Sequence, residues 1–493
     1  MLQYAASRRS EISEQNRATD GDRNTISTRL LLAVMISALF VSVFTNTMVN
    51  VAIPLIRAQF GASEAQSGWI ITGYALAFSV GIPIYGRVSD LFSLRRTFAF
   101  GLVLLALGLA VCALAPSLGV LVAGRALQGA GAGAIPAVAF GSIAKLLDPG
   151  RRGAALGALS SSVGVGAAAG PVLGGLISGA AGWQALFYLT LGLTLLVLGA
   201  SLYVLPDRIS DAPVEDASLR RLDLPGGLLL AATAGFLLFG VTQAETMGLS
   251  SLLVWGCLLL SGLAATAFTW HIRTTAEPFI PPRIFTSRLF LTASLVGFLA
   301  QFANIGSLFL APLLLEGVNG LSPAAAGLVL APGAVAVAIL SPFAGRLSDR
   351  LGPRAVLFVG FAFMLVSALL ISSLAAGASP YIVAGGLLLL GIGYAGTNSP
   401  AANAASEAVP REVAGTGLGI YQLFFFLGSG SGPAVLGAFL AARRGSEGGA
   451  INPLYSLQAN PFSDAFLLTA LAVTLALLAS ATLGGKPKKQ QSK

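Results

Sequence analysis

One arginine of this chain stands where a charge is costly. Arg125 lies inside an apolar stretch from about Leu118 to Leu147 that contains no acidic residue. A charge at the centre of a bilayer costs roughly 2.5–3.5 kcal/mol on insertion scales, so it indicates a functional site by default. The planar guanidinium is suited to an anionic or carbonyl-rich substrate, which it can bind through two parallel hydrogen bonds. The alternative is that carbonyls and amides of packed helices hold it.

Amide side chains elsewhere in the apolar stretches could line one cavity with Arg125, or could only bridge helices. Proton coupling usually needs a carboxylate with a shifted pKa in a cavity, yet no Asp or Glu of this sequence can be placed at mid-membrane. We therefore expect substrate binding or coupling to involve Arg125 together with uncharged residues. These are Gln128, Asn46, Asn50, Gln301, Asn304, Asn398 and Gln422.

The residue types needed for other chemistry are scarce. The one histidine, His271, lies near a predicted helix end and is expected to be interfacial, and Cys112 and Cys257 lie inside apolar runs. This pattern predicts no metal site and no disulfide. A phosphate-binding G-x-x-x-x-G-K-[ST] string is missing, so ATP is not expected to drive the protein directly. We expect no enzyme, no catalytic residue and no cofactor.

The elements that must position these residues are membrane helices. Of the 493 residues, 55% are hydrophobic and 10% are charged, against about 25% charged in an ordinary soluble domain. Apolar runs of about 20 residues predict spanning helices and are too long for barrel strands. The fold class is therefore an all-α polytopic membrane protein. Its fourteen helices are predicted near 29–56, 67–88, 97–115, 118–147, 153–179, 183–205, 225–246, 249–272, 289–316, 322–346, 353–375, 379–407, 411–441 and 463–484.

The net charge of +9 carries information about orientation rather than about nucleic acid, because the cations fall in short loops. With both termini in the cytoplasm, most arginines lie on that side, as the positive-inside rule requires. The predicted segments are a disordered cytoplasmic tail (1–28), an amino-terminal six-helix bundle (29–205), a linker (206–224), a two-helix hairpin (225–272), a second linker (273–288), a carboxy-terminal six-helix bundle (289–484) and a basic tail (485–493).

The chain also repeats itself. Gly86–Asp90, in the pattern G-R-x-S-D, recurs as Gly345–Asp349 at an offset of 259 residues, and the fifth-helix glycines recur near the same spacing. Matching positions in two six-helix halves predict bundles related by a two-fold axis along the membrane normal, with the central hairpin outside the repeat.

Both G-R-x-S-D strings are predicted where the second helix of a half enters the cytoplasm. A carboxylate there can accept hydrogen bonds from the first N–H groups of a neighbouring helix, while arginines pair across the loop. We expect a conformational latch; the alternative is positive-inside charge plus a helix cap. The predicted latch residues are Gly86, Arg87, Asp90, Arg95, Gly345, Arg346, Asp349 and Arg350.

Glycines along one stripe of the fifth and eleventh helices let a neighbour pack at backbone contact, and a proline kinks each helix. Ordinary tight packing would explain the glycines alone, whereas the kink and the recurrence favour a hinge or permeability seal. The residues are Gly157, Gly166, Gly170, Pro171, Gly174, Gly175, Gly428, Gly432 and Pro433.

Several motifs together resemble the major facilitator superfamily, in its fourteen-helix drug–proton antiporter branch, and Gram-positive tetracycline exporters in particular. The first loop motif departs from the family at Leu91, Ser93 and Leu94, which predicts a weaker amino-half latch. The motifs are Thr47–Pro54 in the first helix, Trp69 and Tyr74 in the second, Gly86–Arg96 and Gly345–Arg354 at the two loops, Arg125–Gly133 in the fourth, Gly157–Gly175 in the fifth and Glu277–Pro281 in the second linker.

The resemblance implies the major facilitator fold and a secondary active transporter of the bacterial plasma membrane, a monomer without nucleic-acid partners. It would export a drug, an antibiotic or a secreted metabolite by alternating access, with protons as the coupling ion. The missing mid-membrane acids leave an alternative, a facilitated or differently coupled transporter of an anionic metabolite. A membrane sensor without transport is the third class.

Overall fold

The fold is built from helices that cross the membrane. The computed structural model describes residues 2–206, 223–248, 251–444 and 449–483, and of these it gives the backbone alone at 2–28, 64, 65, 149, 245–247, 323 and 324. Within the described ranges no residue forms a β-strand, and fourteen helices are long and apolar enough to span a bilayer. The predicted fold class and number of helices are confirmed.

We number the spanning helices α1–α14. The predictions for the first linker and the basic tail fall mostly or wholly outside the described residues and stay predictions. Within the predicted disordered tail (1–28), the structure gives residues 2–28 a helical backbone that leads into the span of α1. The helices are α1 (Leu2–Phe60, spanning from Arg29), α2 (Glu64–Leu91), α3 (Leu94–Ala113), α4 (Leu118–Ala132 and Ala134–Leu146), α5 (Pro149–Ala181), α6 (Gln184–Val204), α7 (Leu224–Met247), α8 (Leu252–Thr274), α9 (Arg288–Gly317), α10 (Pro323–Leu351), α11 (Pro353–Leu370, continued by a π-helical turn, Ile371–Ala375), α12 (Pro380–Glu407), α13 (Ala414–Arg444) and α14 (Asn460–Ala481).

Helices α1–α6 form one bundle and α9–α14 the other, and the two meet along two seams. One seam is α5 against α10 and the other is α2 against α13. These pairs correspond to each other under the repeat, because the second and fifth helices of one half face the fifth and second of the other. The hairpin α7–α8 lies outside both bundles, with α7 packed on α2 and α13.

The structure interrupts α4 at Gly133, where the sequence predicts one continuous helix. Glycines bring this helix into backbone contact with its neighbours: a side chain at Gly129 would strike the Tyr74 carbonyl of α2, and one at Gly131 would strike the Leu105 backbone of α3. The glycines of the fourth-helix motif, Arg125–Gly133, therefore set how close Arg125 lies to α2 and α3.

The predicted hinge-or-seal residues divide into two groups. Gly157 lies on the seam between the halves, against Ser341 and Pro342 of α10. The others pack helices within a half: Gly166, Gly170, Gly174 and Gly175 face α1, and Gly428 and Gly432 face α9. Pro171 and Pro433 lie inside the same stretches of α5 and α13. Because α1–α5 and α9–α13 correspond under the repeat, both stripes make the same contact.

An aspartate ties the base of the hairpin together. Asp223 adopts a left-handed backbone conformation with φ of 45°, and its carboxylate accepts hydrogen bonds from the N–H groups of Gly226, at 3.1 Å, and Phe279, at 2.6 Å. His271 Nε2 lies 2.7 Å from the same carboxylate. The only histidine thus has a carboxylate partner instead of facing solvent, and the second linker is anchored to the start of α7.

A larger side chain at Gly157 should prevent the halves from closing. We expect Gly157→Val to disfavour the observed conformation by about 1–3 kcal/mol, the usual cost of overpacking a tight contact. The readout is modification by a soluble maleimide of Ser348→Cys, a residue that is 1% exposed in the closed seam. The control is Gly179→Val, because that α5 glycine has nothing within 4 Å. Equal labelling of the two variants would contradict the prediction.

Candidate functional site

Arg125 lies at the meeting point of three helices. Its guanidinium donates from Nε to the Ile70 carbonyl of α2 at 3.1 Å, from Nη1 to Gln128 Oε1 at 2.8 Å and from Nη2 to Asn46 Oδ1 of α1 at 2.9 Å. The charged plane also stacks over the Tyr74 ring, with Cζ 4.4 Å from the ring centroid. The three oxygens and the aromatic face compensate a charge that would otherwise be very costly to bury.

The Arg125 side chain is 0% exposed, so no ligand touches it in this conformation. The geometry favours the alternative in which amides and a carbonyl of packed helices hold the arginine. Of the two first-helix amides predicted to take part, Asn46 is in contact, whereas Asn50 is exposed. Asn46 is half-buried and is the most accessible polar member of the cluster.

The amide nitrogen of Gln128 is unusual. Its Oε1 accepts from Arg125, but its buried Nε2 has no hydrogen-bond partner among the described residues. A buried polar atom without a partner costs about 1–3 kcal/mol. Gly108 of α3 packs closely on the backbone and Cβ of Gln128. This contact holds Gln128 beside the arginine.

The carboxy-terminal half holds the other predicted polar residues. Tyr394 Oη of α12 donates to Gln301 Oε1 of α9 at 2.6 Å, and Asn304, Asn398 and Gln422 are each at most 7% exposed. Sequence reasoning missed Tyr421, a fully buried α13 side chain whose ring packs against Gly297. Its hydroxyl has no partner within the described structure. The predicted set is therefore divided between the halves: Asn46 and Gln128 contact Arg125, and Gln301 has its partner in the other half.

The first G-R-x-S-D string forms a clasp between the halves. Asp90, in the last turn of α2, accepts hydrogen bonds from the N–H groups of Gly415, at 2.8 Å, and Thr416, at 2.6 Å, and from the Thr416 hydroxyl at 2.6 Å. These groups begin α13. Lys145 of α4, which the sequence did not single out, pairs with Asp90 at 2.6 Å. A glycine is needed at Gly86 because the Gly415 carbonyl and Gly419 lie against it.

The second string forms the equivalent clasp in the reverse direction. Asp349, at the end of α10, accepts from the N–H groups of Gly153, at 2.7 Å, and Ala154, at 2.9 Å, in the first turns of α5. Ser399 of α12 donates to the Gly153 carbonyl at 3.0 Å, and Gly345 lies on the same carbonyl. Each half thus supplies a carboxylate to backbone N–H groups near the start of a helix of the other half. We call this end of the molecule the latch face.

The arginines of the two strings differ in their surroundings. Arg87 is 9% exposed and Arg95 is half-buried, whereas Arg346 and Arg350 are exposed. Arg346 stacks over the Phe343 ring at 5.8 Å. The sequence departures predict a weaker amino-half latch, but Asp90 has three inter-half bonds and a lysine partner where Asp349 has two bonds. The structure favours the opposite order.

A buried carboxylate at the far face also escaped sequence reasoning. Asp464, one turn into α14, accepts from Arg443 Nε at 2.7 Å and from the N–H of Ile451 at 2.7 Å, and it is 1% exposed. The pair joins the end of α13 to the start of α14. Since both carboxylate oxygens have strong donors, the arrangement is that of a structural tie.

Comparison with known proteins places the chain among transporters. The sequence profile described as Major Facilitator Superfamily matches residues 35–433 and again 293–493. The chain is 32% identical over 405 residues to the multidrug resistance protein Stp of Mycobacterium tuberculosis, covering 82% of this chain and 74% of that one. It is 32% identical over 415 residues to the tetracenomycin C resistance and export protein of Streptomyces glaucescens, covering 84% and 76%. The fold is similar to that of the proton:xylose symporter XylE, with a TM-score of 0.66, 15% identity and coverage of 94% and 97%.

Replacing the arginine fork by an ammonium should damage this site despite the retained charge. We expect Arg125→Lys to lower the melting temperature measurably, because a single Nζ cannot reach all three acceptors and hydrogen bonds to charged groups contribute about 1.5–3 kcal/mol each. The measurement is thermal unfolding in detergent, with Arg288→Lys, at an exposed arginine, as control. An unchanged melting temperature would argue that the three bonds contribute little.

Removing the charge of either clasp should weaken closure without unfolding the bundles. We expect Asp90→Asn to have the larger effect and Asp349→Asn the smaller, because an amide nitrogen repels the N–H donors that a carboxylate attracts. Solvent labelling of Ser348→Cys and transport rate are the two readouts. If Asp349→Asn proves the more harmful, the number of bonds does not set the strength of each clasp.

Proposed function

This chain belongs to the major facilitator superfamily, and we propose that it exports a small organic molecule by alternating access. The substrate class is a drug, an antibiotic or a secreted metabolite. Two relatives, a multidrug resistance protein and a tetracenomycin C resistance and export protein, support export as the direction of transport and this class of substrate. The proposed location is the bacterial plasma membrane, with a monomer whose termini and latch face are cytoplasmic.

One observation carries the alternating-access part of the proposal. Asp90 and Asp349 each bind backbone N–H groups near the start of a helix of the opposite half at the same face, so both clasps must release together when that face opens. A carboxylate near the start of a helix gains both hydrogen bonds and a favourable interaction with the helix dipole. The seam α5–α10 is reinforced by the Ser161 hydroxyl, which donates to the Ala338 carbonyl. The structure therefore represents a conformation closed at the latch face.

The Arg125 cluster is proposed to sense substrate indirectly. The proposed substrate site is a central cavity between the two halves. Because Arg125 itself is enclosed, a molecule in that cavity would meet the half-buried Asn46 first. Displacing Asn46 would remove one of three acceptors from a buried cation, which couples binding to the packing of α1 against α2 and α4. On this proposal Asn50, Gln301, Asn304, Asn398 and Gln422 supply contacts in the cavity.

Protons are the proposed coupling ion, and the clasp carboxylates are the proposed coupling groups. Each of Asp90 and Asp349 accepts two backbone N–H bonds from the opposite half, so the hydrogen bonding of each carboxylate is tied to closure of the latch face. A proton on either carboxylate would remove an acceptor and favour opening of the latch face. This would link proton movement to the conformational change without an acid at mid-membrane.

Export should be visible as gradient-driven flux. The probe is tetracenomycin C, the compound named for one relative, tested in proteoliposomes beside a panel of metabolites secreted by the host cell. We expect accumulation that depends on an imposed pH gradient and collapses with a protonophore, and that is lost in the double variant Asp90→Asn, Asp349→Asn. Flux that ignores the pH gradient would refute proton coupling, and binding without any flux would indicate a sensor.

A further inference from the structure

A cavity lies between the hairpin and the carboxy-terminal bundle, away from the Arg125 cluster. Its volume is about 350 Å³, and α7, α9 and α13 line it. This size is at the lower end of the roughly 300–1,000 Å³ found for small-molecule sites. The hairpin helix contributes Leu238 and Val241, α9 contributes Ser294 and Phe298, and α13 contributes Phe424. We call this space the hairpin cleft.

The cleft is closed where α7 and α9 each touch α13. A side chain at Gly430 would collide with Leu238 of α7, and a side chain at Gly428 would collide with the Phe298 carbonyl of α9. On its rim, Leu291 and Leu295 are 41% and 48% exposed. These leucines face the lipid in a membrane-spanning helix, so the cleft opens sideways into the bilayer.

One polar atom in this apolar wall is left unsatisfied. Ser294 is 2% exposed, and its Oγ has no hydrogen-bond partner in the described parts of the chain. Many buried hydroxyls elsewhere in the described spans bond back to their own helix, as Thr45 does to Val41 at 2.6 Å and Thr190 to Leu186 at 2.8 Å. Ser348, at the latch face, is another without a partner in the described residues. Tyr421 also has an unpartnered hydroxyl, but it packs on Gly297 and does not line the cleft.

We infer that the hairpin cleft is a binding site for a membrane-dissolved molecule with an apolar body and one hydrogen-bonding group. Water does not fill it, because an apolar cavity offers a water molecule too few partners. A hydrocarbon chain or apolar ring system restores the dispersion contacts that the lining otherwise lacks. The hydrogen-bonding group of the ligand pairs with Ser294 Oγ. A lipid, through an acyl chain and its ester group, and a free compound with one polar group share this chemistry.

The test uses photo-crosslinking in nanodiscs with a matched pair of probes. One probe is hexadecan-1-ol with a diazirine in its chain, and the other is the corresponding hexadecane without the hydroxyl. We expect mass spectrometry to locate the alcohol on α7, α9 and α13 in preference to the lipid-facing surface of α8. Labelling spread evenly over the lipid-facing helices would overturn the inference.

Two substitutions separate the hydroxyl from the volume. Ser294→Ala should lower labelling by the alcohol about fivefold, equivalent to about 1 kcal/mol for one hydrogen bond, and leave the alkane unchanged. Val241→Phe should lower labelling by both probes, and its control is Leu259→Phe on exposed α8 surface. Equal effects of Ser294→Ala on the two probes would refute the role of Ser294. Full labelling of Val241→Phe would refute the cleft as the site.

A third probe identifies the source of the natural ligand. Phosphatidylcholine with the same diazirine chain labels the cleft if a lipid tail occupies it, and fails to do so while the free alcohol succeeds if the site takes membrane-dissolved compounds. Crosslinking needs no transport, so failure of this inference leaves the proposed export untouched. Conversely, absence of flux would not alter the labelling pattern.

Discussion

Bonds between a carboxylate and backbone N–H groups near the start of a helix join the two halves of this structure at the latch face. Asp90 binds N–H groups in the first turn of α13, which have no partner within their own helix. Asp349 binds the N–H groups of Gly153 and Ala154, one turn further into α5. Such bonds require helix ends to approach within hydrogen-bond distance, which explains glycines at Gly86, Gly345 and Gly153. Backbone chemistry thus decides which pairs of helices can form the seams.

Inside the amino-terminal half, close helix packing also determines how the buried charge of Arg125 is compensated. Arg125 is tolerated because a carbonyl, two amide oxygens and an aromatic face surround it. These groups come from three helices, and glycines bring two of them, α2 and α4, to backbone contact. Because its acceptors come from three helices, the buried charge of Arg125 depends on how those helices pack. The carboxylates whose side chains the structure describes lie at or near the ends of the spans instead.

Much of this architecture could be read from the sequence, because hydropathy, loop charge and the repeat each register over many residues. Local features were harder. The break at Gly133 lies where this residue meets the backbone of α2, a contact that no pattern within α4 records. Lys145 resembles an ordinary positive-inside charge in sequence, although it pairs with Asp90. His271 and Asp223 are 48 residues apart, and only the folded hairpin brings them together. The unpartnered Ser294 and Tyr421 hydroxyls resemble any other hydroxyl in sequence.

The position of α7 has a mechanical consequence. It touches α2 in one half and α13 in the other, so it bridges a seam whose sides must move relative to each other in any rocking transporter. Its base is pinned by Asp223 to the second linker, and therefore to the chain that leads into α9. In the proposed alternating-access cycle, the hairpin would therefore move with the carboxy-terminal half and slide over α2. The small and apolar contacts of α7 on α2, such as Gly235 near Val80, would form the surface along which the two helices slide.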